Sequence, residues 1–163
     1  MDIYIDFENY TEDEAIYRRT AARAIISRGD KYLLITSRFG DAKFPGGGKE
    51  DDEELVTALT REMKEETGYQ IVQDSIEKYG IVTEKRRSRR GPGVMIMDSH
   101  YFLCKVMDHP GERMLEPYEI EYEYENVWMT LEEAIAKNKQ IKNIAECPWV
   151  AREIAVMERL RDN

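Results

Sequence analysis

The sequence lacks the features that would assign it to a membrane or to a secretory pathway. It contains no run of about 18 apolar residues, the length that could span a bilayer. Residues 1–15 are acidic and have neither the basic start nor the apolar core of a signal peptide. The only two cysteines, Cys104 and Cys147, lie far apart and form no CxxC motif. We therefore expect a cytoplasmic protein with buried thiols and without a disulfide, a zinc site or a membrane segment.

Positive charge is also scarce, since 24 lysines and arginines face 33 aspartates and glutamates, for a net charge of −9. A protein that binds a nucleic acid duplex needs a basic surface for the phosphate backbone. The composition therefore disfavours that role. Small anionic substrates remain possible if a metal ion neutralises the site.

The most informative stretch is a helix whose apolar face carries negative charge. Four apolar residues recur at helical spacing, namely Leu55, Ala58, Leu59 and Met63. At about 100° per residue, Glu62 and Glu66 fall roughly 20° to either side of Leu55, where another apolar residue would be expected. Glu65 lies on the flank of this stripe, three residues from Glu62. Gly68 marks the end of the helix, so Glu65 and Glu66 occupy a last turn where the helix dipole favours cations.

A sequence that breaks several local rules at one place indicates a functional site more often than an accident. Glutamates at i, i+3 and i+4 offer hard oxygen ligands from one rigid helical face, which suits Mg²⁺ or Mn²⁺ better than zinc. The alternative is a solvated acidic helix face, which is common in glutamate-rich helices. The apolar stripe argues against that alternative here.

Before the helix, Gly46, Gly47 and Gly48 allow the backbone to approach another group closely. Such a turn can aim peptide groups at a metal or a phosphate, although many glycine-rich turns are only turns. We expect Asp51 or Asp52 to cap the helix.

From Gly47 to Tyr69 the residues resemble the Nudix box, G-x5-E-x7-R-E-U-x-E-E-x-G-U, at every fixed position. The matching residues are Gly47, Glu53, Arg61, Glu62, Met63, Glu65, Glu66, Gly68 and, as a mild departure in the final apolar slot, Tyr69. So many residues at fixed spacing make the resemblance specific. It implies a single domain over residues 1–163 that binds a divalent metal and hydrolyses a diphosphate bond in a nucleoside diphosphate linked to another moiety.

The resemblance also implies roles for individual residues. Glu62 and Glu66 would be the principal Mg²⁺ (or Mn²⁺) ligands, with Glu65 a further ligand or the group that orients the attacking water. Gly47 would contribute its carbonyl to the metal. Glu53 and Arg61 would hold the loop and the helix in register through an ion pair.

Five cations within Lys85–Arg90 reverse the charge of an otherwise acidic chain. Such a run is usually a solvated, mobile loop. The functional alternative is a lid whose Arg87, Arg89 and Arg90 bind substrate phosphates. Arg23 is a further candidate for phosphate contact, although solvent and partner carboxylates are the simpler explanation for it.

Residues Glu116–Glu125 alternate acidic with aromatic or aliphatic side chains. Strict alternation predicts a strand with one solvated face. Many Nudix enzymes use an additional glutamate outside the box as a metal ligand or base. By that resemblance, we expect any such glutamate in this stretch.

Apolar patterning assigns the rest of the chain. It predicts an edge strand in residues 1–17, a hairpin of 20–27 with 31–37, a central strand over 94–107, a helix over 131–137 and a last helix beginning near Pro148. This order of elements points to an α/β/α sandwich around a mixed sheet.

Two functional classes remain open besides a Mg²⁺-dependent pyrophosphohydrolase. One is a Nudix domain that binds a nucleotide without cleaving it, as a sensor. The other is a structural or partner-binding domain. Within the enzyme class, the substrate could be a nucleoside triphosphate, a nucleotide sugar or a dinucleotide. A homodimer is expected because many members of the family pair.

Overall fold

The computed structural model describes residues 1–163 as nine strands, four helices and one short 3₁₀ turn. In chain order the elements are β1 (Asp2–Asp6), β2 (Ile16–Ile25), β3 (Ser27–Arg28), β4 (Lys31–Thr36), β5 (Ala42–Lys43), β6 (Gly46–Gly48), α1 (Leu55–Thr67), the 3₁₀ turn (Gln73–Ser75), β7 (Glu77–Arg87), β8 (Val94–Leu103), α2 (Pro117–Glu121), β9 (Glu125–Thr130), α3 (Leu131–Lys139) and α4 (Val150–Arg161).

The strands form two sheets. The larger sheet has the order β1-β7-β8-β2-β6 and is mixed, because β1 runs parallel to β7 and β2 parallel to β8, while β7 and β8 are antiparallel. In the smaller sheet, β4 pairs antiparallel with β3, β5 and β9. The α/β class with a mixed sheet is therefore confirmed.

Helices cover both faces of the larger sheet because its strands are apolar on both sides. Ala22 and Ala24 of β2 pack in one core with Leu59 and Met63 of α1. Ile25, the next residue of β2, points the other way and joins a second core with residues of α3 and α4. The predicted sandwich thus has α1 on one side and α3 and α4 on the other.

The predicted hairpin of 20–27 with 31–37 is wrong for most of its length. Only β3 pairs with β4, around the Gly29-Asp30 turn. Strand β2 belongs instead to the larger sheet, where its ten residues pair with β8. The chain passes from one sheet to the other at Ile26, whose carbonyl accepts a hydrogen bond from Leu33 N.

The strand predicted for Glu116–Glu125 is also wrong. Pro117 stands in the first turn of α2, and Glu116 and Glu119 form a reciprocal capping box there. Proline at this position and paired caps both favour a helix start, and they outweigh the alternating pattern. Glu123 has a positive φ of 58°, which prevents an extended strand before β9 begins.

Two smaller predictions need correction. The cap of α1 is Glu54, and Asp52 adopts a φ of 62°, so the aspartates form a turn before the helix. The basic run is only partly a loop, because Lys85, Arg86 and Arg87 pair with β8 as the end of β7.

Candidate active site

Helix α1 presents its glutamates toward the larger sheet at graded depth. The side chain of Glu66 is 1% exposed, that of Glu62 17% and that of Glu65 35%. Gly68 ends the helix in the left-handed conformation and donates its N–H to the carbonyl of Lys64. The apolar stripe therefore carries two carboxylates inward and leaves the third at the rim.

The glycine strand β6 lies directly against these glutamates. Gly46 N donates a hydrogen bond of 3.1 Å to Glu66 Oε1. A Cβ placed on Gly47 would lie 2.5 Å from the carboxyl carbon of Glu62, and a Cβ on Gly46, whose φ is 142°, would collide with the carbonyl of Ala22. Glycine is required at both positions so that the backbone can approach the helix on one side and β2 on the other.

Arg61 of α1 connects the helix to the glycine strand β6 and to the loop between β6 and α1. Its guanidinium donates to both carboxylate oxygens of Glu53 at 2.8 and 2.9 Å, to Glu62 Oε1 at 3.0 Å, to Glu65 Oε2 at 3.3 Å and to the carbonyl of Gly48 at 3.1 Å. The hydrogen bonds from Arg61 lower the pKa of Glu53 to about 2. The ion pair expected between Glu53 and Arg61 is thus present, and Arg61 also engages two of the candidate metal ligands.

The inner carboxylates repel one another. Burial, together with the charge of Glu66, raises the pKa of Glu62 to about 7. Lys43 Nζ lies 3.6 Å from Glu66 Oε2 and is the nearest cation on that side. Burial opposes the charge of Lys43, but the carboxylate of Glu66 more than offsets this effect and raises the lysine pKa.

A fourth carboxylate, Glu119, joins this group from helix α2. It is 4% exposed, and burial together with contact with Glu66 raises its pKa to about 8. Its position lies in the stretch where an additional glutamate was expected. Of the five glutamates in that stretch, Glu119 is the one with capping-box spacing from Glu116, and this local signal distinguishes it from the others.

The donor chemistry of this group fits a hard divalent cation. Glu62, Glu65 and Glu66 offer carboxylate oxygens beside the backbone of Gly47. The raised pKa of Glu62 shows that its buried carboxylate would gain from a counter-charge. As the side chains stand, no three acidic, His or Cys groups converge on one metal position. Arg61 donates to one oxygen of Glu62 and to one oxygen of Glu65. The second oxygen of each carboxylate stays available to a metal ion.

Beside the glycine strand opens a cavity of about 490 Å³. Its lining is basic and aromatic, and comprises Tyr17, Arg19, Ala21, Arg23, Lys43, Gly46, Gly47, Gly48, Arg86, Arg89, Arg90, Met95, Met97, Glu116, Tyr118, Tyr122, Tyr124, Trp149 and Arg152. Seven cations thus face a single carboxylate in a protein of net charge −9. An anion would therefore be attracted to this cavity, whereas the acidic surface as a whole would repel it.

The structure brings together three of the four arginines predicted to contact phosphates. Arg23, Arg89 and Arg90 line the cavity. Arg87 does not, because its guanidinium pairs with Glu14 at 3.5 Å and bonds the carbonyl of Asn9 at 2.9 Å. Arg19, beside the predicted phosphate contact Arg23, and Arg86, within the predicted basic run, also line the cavity. Arg152 was not predicted, because nothing near it on the last helix marks it as part of a site.

The arrangement combines clustered carboxylates with an adjoining cationic cavity. Carboxylates at a helix end can hold a metal that activates water, and guanidiniums can orient phosphate oxygens. No helix in the structure is both long enough and apolar enough to cross a membrane.

Comparison with known proteins agrees with this chemistry. The profile of the NUDIX domain family matches residues 17–148. None of the curated proteins matches the chain.

Among solved structures, the chain is similar to a NUDIX hydrolase from Nitrosomonas europaea, with 22% identity, coverage of 83% of this chain and 89% of that one, and a TM-score of 0.56. It is similar to an ADP compounds hydrolase, with 19% identity, coverage of 88% and 71%, and a TM-score of 0.55. A MutT NUDIX hydrolase from Burkholderia pseudomallei has 20% identity, coverage of 71% and 85%, and a TM-score of 0.53. At these identities the likeness concerns the fold alone.

Proposed function

Because the chain belongs to the Nudix family of hydrolases, we propose that it is a Mg²⁺-dependent pyrophosphohydrolase that cleaves the diphosphate bond of a nucleoside diphosphate derivative or a nucleoside triphosphate. Members of this family act on small nucleotides and generally use a divalent metal. The proposed enzyme is one domain over residues 1–163.

One observation carries the proposal, namely the buried carboxylate group beside a cationic cavity. Glu66 is 1% exposed and lies against the N–H of Gly46, and the same glycine strand forms part of the cavity wall. A solvated acidic helix face would not place its carboxylates in the interior. An anionic substrate in the cavity would therefore reach the glutamates across β6.

Glu62, Glu66 and the carbonyl of Gly47 would hold the ion, with Glu65 as a further ligand or as the group that orients water. A bound divalent ion would polarise the phosphoryl oxygens and lower the pKa of the attacking water. Glu53 fixes the guanidinium of Arg61, so that the glycine strand and the helix keep their register. Arg23, Arg89 and Arg90 would bind the substrate phosphates as bidentate donors.

The alternative is a Nudix domain that binds a nucleotide without cleaving it. The contact of Arg61 with one oxygen of Glu62 and one of Glu65 favours this alternative, because it satisfies part of the candidate ligand set without a metal. The two functions differ in one requirement. Only the hydrolase needs a water activated at these carboxylates.

The test is a panel of nucleoside diphosphate derivatives and nucleoside triphosphates incubated with the protein and Mg²⁺, with products identified by mass. Formation of a nucleoside monophosphate and a second phosphorylated product, dependent on Mg²⁺ and absent in Glu62→Gln, supports the hydrolase. Nucleotide binding without any product in Mg²⁺ or Mn²⁺ supports the sensor. Absence of both would refute the proposal.

The homodimer and the cytoplasmic location expected from sequence stay predictions. Light scattering on the purified protein tests the first, and fractionation of cells that express it tests the second.

A further inference from the structure

A short segment between β5 and the glycine strand contacts Glu66, and we call residues 42–46 the contact segment. Lys43 Nζ lies 3.6 Å from Glu66 Oε2, and Gly46 N donates to Glu66 Oε1 at 3.1 Å. Each oxygen of the most deeply buried glutamate of α1 is therefore in contact with this segment. The position of the segment relative to α1 helps to determine where that carboxylate points.

The contact segment begins at the open edge of a sheet. Strand β5 pairs only with β4, through Ala42 and Lys43. Successive N–H groups of a strand point to opposite sides, so the N–H groups of Ala42 and Phe44 both point away from β4. Both residues are 0% exposed, and buried N–H groups need a hydrogen-bond partner. No strand supplies one on that side.

Two side chains from the late helices supply these partners. Asn138 of α3 accepts from Ala42 N and donates to the carbonyl of Ala42, both at 2.8 Å. Glu153 of α4 accepts from Phe44 N through Oε2 at 2.9 Å. Asn138 is 1% exposed and Glu153 0%. One buried polar residue from each helix thus takes the place of a neighbouring strand along β5.

The carboxylate of Glu153 is itself fixed by other groups. Its Oε1 accepts from the guanidinium of Arg152 at 2.9 and 3.1 Å and from the hydroxyl of Tyr101 at 3.3 Å. The ring of Phe44 packs edge-to-face on that of Tyr101, with 5.9 Å between centroids. Each oxygen of Glu153 therefore has its own donors. An amide at this position has one acceptor oxygen, so its NH₂ group would face either Phe44 N–H or Arg152.

We propose that Asn138 and Glu153 are positioning residues for the glutamate site. They hold the contact segment where Lys43 and Gly46 fix the carboxylate of Glu66. Helices that served only to pack could use apolar side chains here, because a buried polar group is unfavourable unless it is hydrogen-bonded. The consequence for metal binding rests on the proposed function, but the positioning of Glu66 does not.

Amide hydrogen exchange of the full chain without metal, followed by NMR, tests the positioning directly. Gly46 is the reporter, because neither its N–H nor its acceptor Glu66 is changed in any variant. Leu33, a buried residue whose N–H donates to the carbonyl of Ile26, reports global stability. Glu153→Gln and Asn138→Ala should each accelerate exchange at Gly46 by about tenfold relative to Leu33, because the segment opens locally.

The matched control is Glu84→Gln. Glu84 is also 0% exposed and pairs with the same Arg152 at 2.6 Å, but it does not contact the segment. Its Oε1 has no partner, so an amide there can keep its oxygen toward Arg152. The exchange ratio of Gly46 to Leu33 should stay within about twofold of the unaltered protein.

Two exchange results would overturn the inference. One is an unchanged ratio in both Glu153→Gln and Asn138→Ala. The other is an equal acceleration in Glu84→Gln, which would mean that any disturbance of the buried ion pairs has the same effect. If Glu153→Gln does not fold, Asn138→Ala compared with Glu84→Gln decides in the same way.

Calorimetry with Mn²⁺ measures the consequence for the glutamate site. The dissociation constant should rise by about tenfold in Glu153→Gln and Asn138→Ala, as for groups that support metal ligands, and stay nearly unchanged in Glu84→Gln. A loss of folded protein would change the number of sites instead. An unchanged dissociation constant in both variants would overturn the role at the metal site and leave the proposed function intact. Absence of Mn²⁺ binding by the unaltered protein would count against the proposed function, while the exchange result would still decide the positioning of Glu66.

Discussion

The glutamate site and the cationic cavity meet at β6, but the glutamates have cations beside them while a buried arginine of the cavity has no carboxylate partner. On the glutamate side, Arg61 contacts three carboxylates and Lys43 contacts a fourth, so that most of the negative charge has a cation within 4 Å. On the cavity side, Arg86 is buried without an ion pair, and the carboxylates nearby serve Arg152. Glu53, Glu62, Glu65 and Glu66 thus each have a cation within 4 Å before any ligand binds, whereas Arg86 has no carboxylate partner.

This difference indicates how strongly the glutamate site should favour a metal ion and how strongly the cavity should favour an anion. A metal would share Glu62 and Glu65 with Arg61, whereas an anion in the cavity would meet the guanidinium of Arg86, which has no ion-pair partner. Substitutions on the two sides should therefore separate into effects on turnover, on stability and on recognition.

The largest effect is expected for Glu62→Gln, which should lower kcat by about 10²–10⁴-fold because an amide is a poor ligand for Mg²⁺. The fold should persist, since the amide keeps the shape of the carboxyl group. Steady-state kinetics and thermal unfolding of the same sample measure both quantities. Unchanged turnover in both Glu62→Gln and Glu66→Gln would refute the assignment of the glutamate site.

On the cavity side, Arg152→Met should reduce the free energy of unfolding by about 3–5 kcal/mol, because it leaves two buried carboxylates without their cation. Those carboxylates are Glu84 and Glu153. Urea denaturation measures the loss. The matched control is Lys139→Met, which removes the partner of Glu158 in an exposed pair and should change stability by less than about 1 kcal/mol. Equal effects in the two variants would show that Arg152 is not a structural support.

Glu119→Gln tests whether the glutamate site extends to helix α2. If Glu119 works with Glu66, kcat should fall by about 10–100-fold, the range typical of groups that support metal ligands. Glu121→Gln, on the exposed side of the same helix, is the control and should leave kcat within twofold. A Glu119→Gln enzyme as active as the control would place Glu119 outside the reaction.

The smallest effect is expected for Glu53→Gln, which should lower stability at pH 7 by about 1 kcal/mol or less. The folded-state pKa of Glu53 is about 2, below the ordinary value of 4.5. A depressed folded-state pKa adds stability above the unfolded-state pKa, and that stability is lost as the pH falls through the folded-state value. The difference between the two proteins should therefore shrink from pH 7 to pH 3. A difference in unfolding free energy that stays constant over this range would contradict the role of the Glu53 charge.

Much of the glutamate site could be predicted because its parts are close in sequence. The inward position of Glu66 followed from the spacing of Ala58, Leu59 and Met63, and the helix ended at Gly68 as expected. The capping box of Thr130 and Glu133 likewise begins α3. In each case the deciding interactions span four residues or fewer, so local geometry is sufficient.

The cavity was predicted poorly for the opposite reason. Arg152 reaches Glu84 across 68 positions of sequence, and no local pattern connects them. Arg86 and Arg87 have the same chemistry and adjacent positions, yet only Arg86 faces the cavity, because successive side chains of a strand point to opposite faces. The prediction for Glu116–Glu125 was wrong for a different reason. The alternating pattern favoured a strand, but Pro117 and the capping pair Glu116 and Glu119 favoured a helix, and the helix formed.

The sequence by itself determined the acidic helix, its caps and the glycine turn, because helical periodicity and backbone sterics act over a few residues. Only the tertiary structure decided which arginines converge and that Glu119 joins Glu66, because strand register and the packing of α2 set those distances. Arginines that are distant in sequence form a candidate binding site here because folding brings them to one cavity and leaves a buried one, Arg86, without a carboxylate partner.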